Sequence, residues 1–224
     1  MHIVIAGASG ATGRLLTAQA HAAGHEVTAL VRPASSWAPG PGIRVLRADV
    51  VADHAVRLPE GTDVVISTLG KRSYDDTAPV CAGGVTNLLG AMRRQGVSRI
   101  VATSASPVLR SGAGEPWWFR GIVRPLVRRS GPNIYSDLEA MEQVLQASGD
   151  DIEWTVLRPG YLVDKPRTRY ELFPEINGIG RVHRADLAAA LLDVATRSDL
   201  GGRAFGLVSR PRRPIPARNA TAAA

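Results

Sequence analysis

The chain has 224 residues, 45% of them hydrophobic, and a formal net charge of +7. That length carries one substantial core, and no apolar run reaches the roughly 20 residues needed to span a bilayer. The lone Cys81 excludes an internal disulfide framework and a thiolate metal site. Met1 leads straight into an apolar run rather than a secretion signal, so a reducing cytoplasm is the expected compartment. Of the 27 basic residues only Lys71 and Lys165 are lysines. The arginines are scattered and accompany no nucleic-acid module, which predicts a solvated surface with no nucleic-acid and no membrane partner.

In chain order, short apolar runs alternate with helical patterns. HIVIAG, residues 2–7, is continuous, branched and ends at glycine, which predicts a buried strand. GRLLTAQAHAAG (13–24) has apolar residues at helical spacing and stops at Gly24. EVTALVR (26–32), IRVLRAD (43–49) and TDVVISTL (62–69) predict strands two to four. GGVTNLLGAMRRQG (83–96) predicts a helix ended by Gly96, and RIVATSA (99–105) the fifth strand. SDLEAMEQVLQASG (136–149) predicts a helix with Ser136 as N-cap and Glu139 three residues on, a capping box. EWTVLRPG (153–160) is strand six, RADLAAALLDVAT (184–196) a late helix and RAFGLVS (203–209) a final strand.

Such alternation predicts beta-alpha-beta units, hence an α/β fold with a doubly wound parallel sheet and helices on both faces. Residues 1–209 are expected to form a single domain. Segments 107–134 and 164–182 break the rhythm and are expected to build a small substrate-side lobe of loops, the second as a small hairpin or loop. Both follow strand C-termini, where open α/β sheets bind ligands. The Pro-, Arg- and Ala-rich residues 210–224 are expected to be disordered.

Gly7, Gly10 and Gly13 form G-x-x-G-x-x-G between the first strand and the first helix. The first glycine permits the tight turn, the second a close approach of backbone to a pyrophosphate, and the third close helix–strand packing. Ser9, Ala11 and Thr12 complete this cradle at the helix N-terminus. Strand two ends without a carboxylate. Arg32 stands there, nineteen residues after Gly13, with Ser35 and Ser36 beyond it and Arg14 in reach. A cation at that position suits a ribose 2′-phosphate, hence NADP(H). Asp49 and Val50, at the end of strand three, are placed beside the adenine, with a turn role for Asp49 equally open.

GASGATGR, ALVRP, ISTLG, VATSAS and TVLRPGYLVD occur in this order. Together they resemble the atypical short-chain dehydrogenase/reductase families, namely the NAD(P)H-binding, NmrA-like proteins and the biliverdin reductase B/flavin reductase group. The resemblance spans about residues 2–208. It implies a Rossmann fold, NADP preference, and a nicotinamide between the ends of strands four and five and the RPG loop. Thr68, Leu69, Gly70, Thr103 and Pro159 are then cofactor-binding residues.

Ordinary short-chain dehydrogenases pair Tyr and Lys at i and i+4, the lysine lowering the phenol pKa. Here Tyr135 is followed by Glu139 and Tyr74 by Ala78. Chemistry without a Tyr-x-x-x-Lys pair is expected. The resemblance implies a serine after strand five, here Ser104, and a residue after the P-G turn, here Tyr161, as catalytic groups. Each has an alternative: a strand-end cap for Ser104, a packed aromatic for Tyr161. Ser106, Trp117, Trp118, Phe119, Arg120 and Tyr161 are the candidate substrate contacts, with Arg124 near them. Packing of those aromatics on the body or on a partner subunit is the competing role. His183 and Asp186 are assigned to the start of the late helix, and the remaining histidines show no metal-ligand spacing.

The expected function is reduction of a conjugated or aromatic small-molecule acceptor with NADPH, by a monomer or homodimer. Two alternatives stand beside it: an NmrA-like sensor of the nicotinamide pool, and a non-redox isomerase or cyclase.

Overall fold

The structure is a computed structural model that describes residues 1–71 and 73–211. The chain lays down β1 (His2–Ala6), α1 (Ala11–Ala22), β2 (Glu26–Val31), β3 (Arg44–Arg47), β4 (Val64–Ser67) and α2 (Val80–Gln95). It continues through β5 (Arg99–Thr103), a 3-10 turn (Ser106–Val108), a π-helical turn (Phe119–Val123), α3 (Arg124–Ser130) and α4 (Pro132–Gln146). Then come β6 (Glu153–Pro159), β7 (Tyr161–Val163), β8 (Arg169–Pro174), β9 (Arg181–His183), α5 (Arg184–Ala195) and β10 (Arg203–Arg210).

Eight strands form one sheet in the order β3-β2-β1-β4-β5-β6-β10-β8. All pairs are parallel except β10–β8. The chain reverses direction across the sheet between β1 and β4, the switch point at which such folds open a crevice. β1 and β4 are buried at every position, because helices cover both of their faces. One face packs on α1 and α5 through Ile3, Ile5, Leu16, Leu187 and Leu191. The other packs on α2 and α4 through Val4, Leu88, Met92, Met141 and Leu145. Each such side chain stabilises by about 1.5–3 kcal/mol on burial, which makes this framework stiff enough to fix the loops at its C-terminal edge.

Three expectations change. The capping box is not formed: α4 starts a turn earlier at Pro132, and Ser136 is an interior residue whose Oγ donates to the Asn133 carbonyl at 3.4 Å. Proline at the first helical position, with φ already helical, sets that start. Glu139 turns instead to Arg110 and Arg128. The strands of segment 164–182 do not pair with each other as a hairpin: β8 extends the main sheet, and β9 pairs with β7 in a separate two-stranded ladder. Asp186 does start α5, but its buried carboxylate accepts from Thr168 N, Thr168 Oγ1 and Ser209 Oγ, each at 2.6 Å. That ties the chain before β8 to β10. Arg210 closes β10 opposite Arg169, and residues 212–224 of the expected tail lie outside the described residues.

Candidate dinucleotide site

The turn between β1 and α1 is held by its own backbone. Gly10 N donates to Gly7 O at 2.9 Å, and Arg14 N to Gly10 O at 2.9 Å. Gly7 has φ +78°, and a Cβ there would lie 2.8 Å from the Thr68 carbonyl oxygen. A Cβ on Gly13 would lie 2.3 Å from Gly7 O and 2.8 Å from Ala8 Cα. Only glycine permits the first conformation and the second approach. Thr68 seals the contact from β4, its N and Oγ1 both donating to Ala6 O. Arg14 closes the outside by donating Nε to Ser9 O at 2.8 Å and lying 5.7 Å from the centroid of Trp37. It is thus engaged in holding the turn.

Above this turn runs a cleft of about 660 Å³. Its walls include Gly7, Ser9, Gly10, Ala11, Thr12, Arg32, Asp49, Val50, Thr68, Leu69 and Gly70, all singled out from the sequence. Gly13, Ser35, Thr103 and Pro159 do not line it. Gly13 lies beneath, where its role is packing. Lys71, Asp76 and Val80 line the cleft and were missed, although Lys71 directly continues the ISTLG motif.

Two helices begin at this cleft, and they differ. The N-terminus of α2 is occupied: the buried Asp137 carboxylate accepts from Cys81 N at 2.9 Å and Ala82 N at 3.0 Å. Lys71 Nζ lies 3.8 Å from the same carboxylate and donates to Asp76 O at 2.9 Å. Burial, then the Asp137 charge, pushes the Cys81 thiol up, so it stays protonated. The N-terminus of α1 has neither a capping side chain nor an acid in its first turn. Its free N–H groups and positive dipole end face the cleft, which is the chemistry of a phosphate site.

Arg32 is exposed at the cleft edge, with no side-chain partner among the described residues. Arg47 braces the loop that follows it, donating to Ser35 O at 2.7 Å. Asp49 makes the turn that the sequence left open, its Oδ1 accepting from Val51 N at 3.0 Å, while still lining the cleft. At the C-terminal ends of β4 and β5 the hydroxyls of Ser67, Thr103 and Ser104 are buried without a hydrogen-bond partner. Buried hydroxyls are seldom left so, and a polar ligand group at this edge would satisfy them.

The candidate substrate contacts are scattered. Ser106 is buried, and its carbonyl accepts from Asn177 Nδ2 at 2.8 Å. Trp117 and Trp118 are 75% and 46% exposed, Phe119 stands edge-on to Trp118, and Arg120 is exposed; none lines the cleft. Tyr161 is 76% exposed at the start of β7. One sequence expectation is corrected here: a Tyr-x-x-x-Lys spacing does occur, at Tyr161 and Lys165. It begins on an extended strand, where residues four apart lie about 13 Å from each other, whereas one turn of helix sets them side by side. Among the described residues no group of His, Cys, Asp and Glu could hold a metal ion, and no helix is long and apolar enough to cross a membrane.

A doubly wound sheet with a glycine turn, an uncapped helix N-terminus and a cleft at the switch point defines a dinucleotide-binding protein. The chain matches the NAD(P)H-binding family over residues 7–198 and belongs to it, so its cofactor is a nicotinamide nucleotide. It is 25% identical over 238 aligned residues to an uncharacterized chloroplastic protein of Arabidopsis thaliana, covering 95% of this chain and 78% of that one. Solved structures share its fold. The oxidoreductase ylbE of Lactococcus lactis superposes with a TM-score of 0.76 at 16% identity, over 95% of this chain and 92% of that one. ChuY, an anaerobillin reductase of Escherichia coli, superposes at 0.70 with 21% identity, over 96% and 100%. A proposed NADH-flavin reductase of Streptococcus pneumoniae does so at 0.71 with 19% identity, over 94% and 100%.

Proposed function

We propose that the chain is an NADPH-dependent reductase that passes hydride to a conjugated or aromatic acceptor such as a flavin, a quinone, an enone or a polycyclic intermediate. Arg32 carries the cofactor preference. It supplies an exposed cation at the end of β2, where an NAD-preferring fold sets a carboxylate for the ribose hydroxyl. In this reading the N-terminus of α1 binds the pyrophosphate and Thr68–Gly70 form the floor beneath the nicotinamide end. The Ser104 hydroxyl donates to the polar group at the reacting edge.

Reduced nicotinamide supplies the hydride. The acceptor takes that hydride and one proton from solvent, leaving oxidised cofactor. Such acceptors delocalise the incoming electron pair, so the protein's work is alignment and exclusion of water rather than proton transfer. The reductase names carried by ChuY and the Streptococcus pneumoniae protein support this class of chemistry.

The test is calorimetric titration with NADPH, NADP⁺ and NADH, then absorbance of the NADPH complex with a panel of flavins and quinones. Tighter binding of NADPH than NADH, with oxidation, is the expected result. Tight NADP⁺ binding without turnover on the panel would favour the sensor or an enzyme of one narrow biosynthetic substrate.

A further inference from the structure

The helical stretch from the π-helical turn into α3 turns two charged side chains inward and leaves large apolar ones outside. Neither element contains a buried residue. Beside the half-buried Phe119, Val123 and Val127, two arginines turn inward. Arg124 lies 3.7 Å from the Glu115 carboxylate and donates to Leu109 O at 2.6 Å. Arg128 pairs with Glu139 at 2.7 Å and donates to Pro107 O at 2.8 Å. The side chains left outside are apolar: Trp118, Ile122 and Leu126 recur at steps of four, with Ile122 and Leu126 each 59% exposed. Trp117 stands beside them. A solvated helix shows the opposite arrangement, and such a patch on a soluble surface marks a contact.

The charge around the stripe says what it meets. Segment 107–134 holds Arg110, Arg120, Arg124, Arg128 and Arg129 against Glu115 alone, a net +4 of the chain's +7. Arg120 and Arg129 are exposed with no carboxylate partner among the described residues. Next to the stripe is a surface depression of about 350 Å³ lined by Arg110, Arg124, Pro125, Arg128 and Arg129. Tryptophan and aliphatic side chains bordered by arginines match the two layers of an anionic bilayer surface, acyl chains below and phosphates above. Arg110, Arg124 and Arg128 are paired with Glu139 and Glu115, so Arg120 and Arg129 are the uncompensated cations beside the stripe, and two copies meeting on this face would set them against each other.

We propose that residues 117–129 dock the protein onto an anionic lipid surface. Trp117, Trp118, Ile122 and Leu126 enter the interface, while Arg120 and Arg129 hold headgroup phosphates. The attachment is peripheral and adds a membrane partner that the lack of a spanning run does not predict. It does not rest on the reductase reading.

The test is flotation of the full chain with vesicles of phosphatidylcholine alone, and of phosphatidylcholine with about one third phosphatidylglycerol. Binding to the anionic vesicles only is expected, with a blue shift of tryptophan emission and weakening at high salt. The Ile122→Ser/Leu126→Ser variant should lose binding by more than about tenfold at an unchanged unfolding temperature, since its two side chains are solvent-exposed. Arg129→Glu, a purely surface change, should lose it several-fold. Absence of binding to anionic vesicles, or binding that survives both variants, overturns the proposal. A dimer in solution that the double variant dissolves overturns it too, and assigns the face to a second copy.

Discussion

Replacing Gly13 by alanine tests the turn at its tightest point. The new methyl would sit 2.3 Å from Gly7 O and 2.8 Å from Ala8 Cα, roughly 1 Å inside ordinary contact with the first. Both are backbone atoms, so no rotamer change relieves the overlap and the turn itself must move. Overpacking of this kind costs about 1–3 kcal/mol or more. Alanine's better helix propensity returns at most about 1 kcal/mol. A net loss of about 1–2 kcal/mol lowers the unfolding temperature by roughly 2–8 °C for a chain of this size. NADPH affinity should fall more than about tenfold, because the uncapped N–H groups of α1 move with the turn.

Gly10→Ala is the matched control. Its φ is −73°, it is exposed, and its Cβ would meet Gly7 O at 3.2 Å. Gly10 is the N-cap of α1, where alanine caps poorly, and the 3.2 Å contact is with a backbone oxygen, so a loss of up to about 1 kcal/mol is expected, less than at Gly13. Cofactor binding should still weaken, since the methyl lines the cleft. Calorimetric unfolding and NADPH titration of both variants decide the matter. Full stability and full affinity in Gly13→Ala would refute the close-approach argument. Undiminished affinity in Gly10→Ala would show that no phosphate passes over that residue.

Arg32→Ala should weaken NADPH about tenfold and leave NADH within about twofold, as loss of one charge-assisted contact requires; equal losses for both in parallel titrations would remove Arg32 from the 2′-phosphate. Tyr161→Phe should leave turnover within about twofold, because the phenol is exposed at the start of β7. A larger drop in kcat would show that β7 and β9 close over the cleft in the complex. Glu142→Gln strands Arg158, whose Nε lies 3.0 Å from the Glu142 carboxylate in the core, and should cost about 3–5 kcal/mol in denaturant unfolding. For Glu139, burial pushes its pKa up, but hydrogen bonds from Arg110 and Arg128 win and hold the carboxyl below its ordinary value. Its contribution is therefore present above the ordinary carboxylate range and lost as pH falls through the lower folded value. Glu139→Gln should flatten that acid-side loss of stability in a pH series of thermal melts.

The parts of the fold legible in the sequence are those fixed by local pattern. The continuous apolar runs gave β1, β2 and β4 because helices bury both of their faces, and Gly7 and Gly13 marked a turn whose geometry admits no other residue there. The start of α4 was misread because Ser136 and Glu139 have capping-box spacing, yet Pro132 begins the helix and tertiary arginines claim Glu139. Lys71 and Asp137 escaped notice for a related reason: they are 66 positions apart in sequence, and only the packing of α4 against α2 brings the carboxylate under the loop after β4. Long-range ion pairs of this kind leave no periodic trace. The same limit explains the aromatic segment. Trp117, Trp118 and Phe119 suggested a substrate wall by composition alone, but which way they face depends on Glu115 and Glu139 drawing Arg124 and Arg128 inward. With Arg124 and Arg128 anchored below, Trp118, Ile122 and Leu126 are left outside while Phe119, Val123 and Val127 are half-buried, and a cationic segment presents an apolar stripe to the outside.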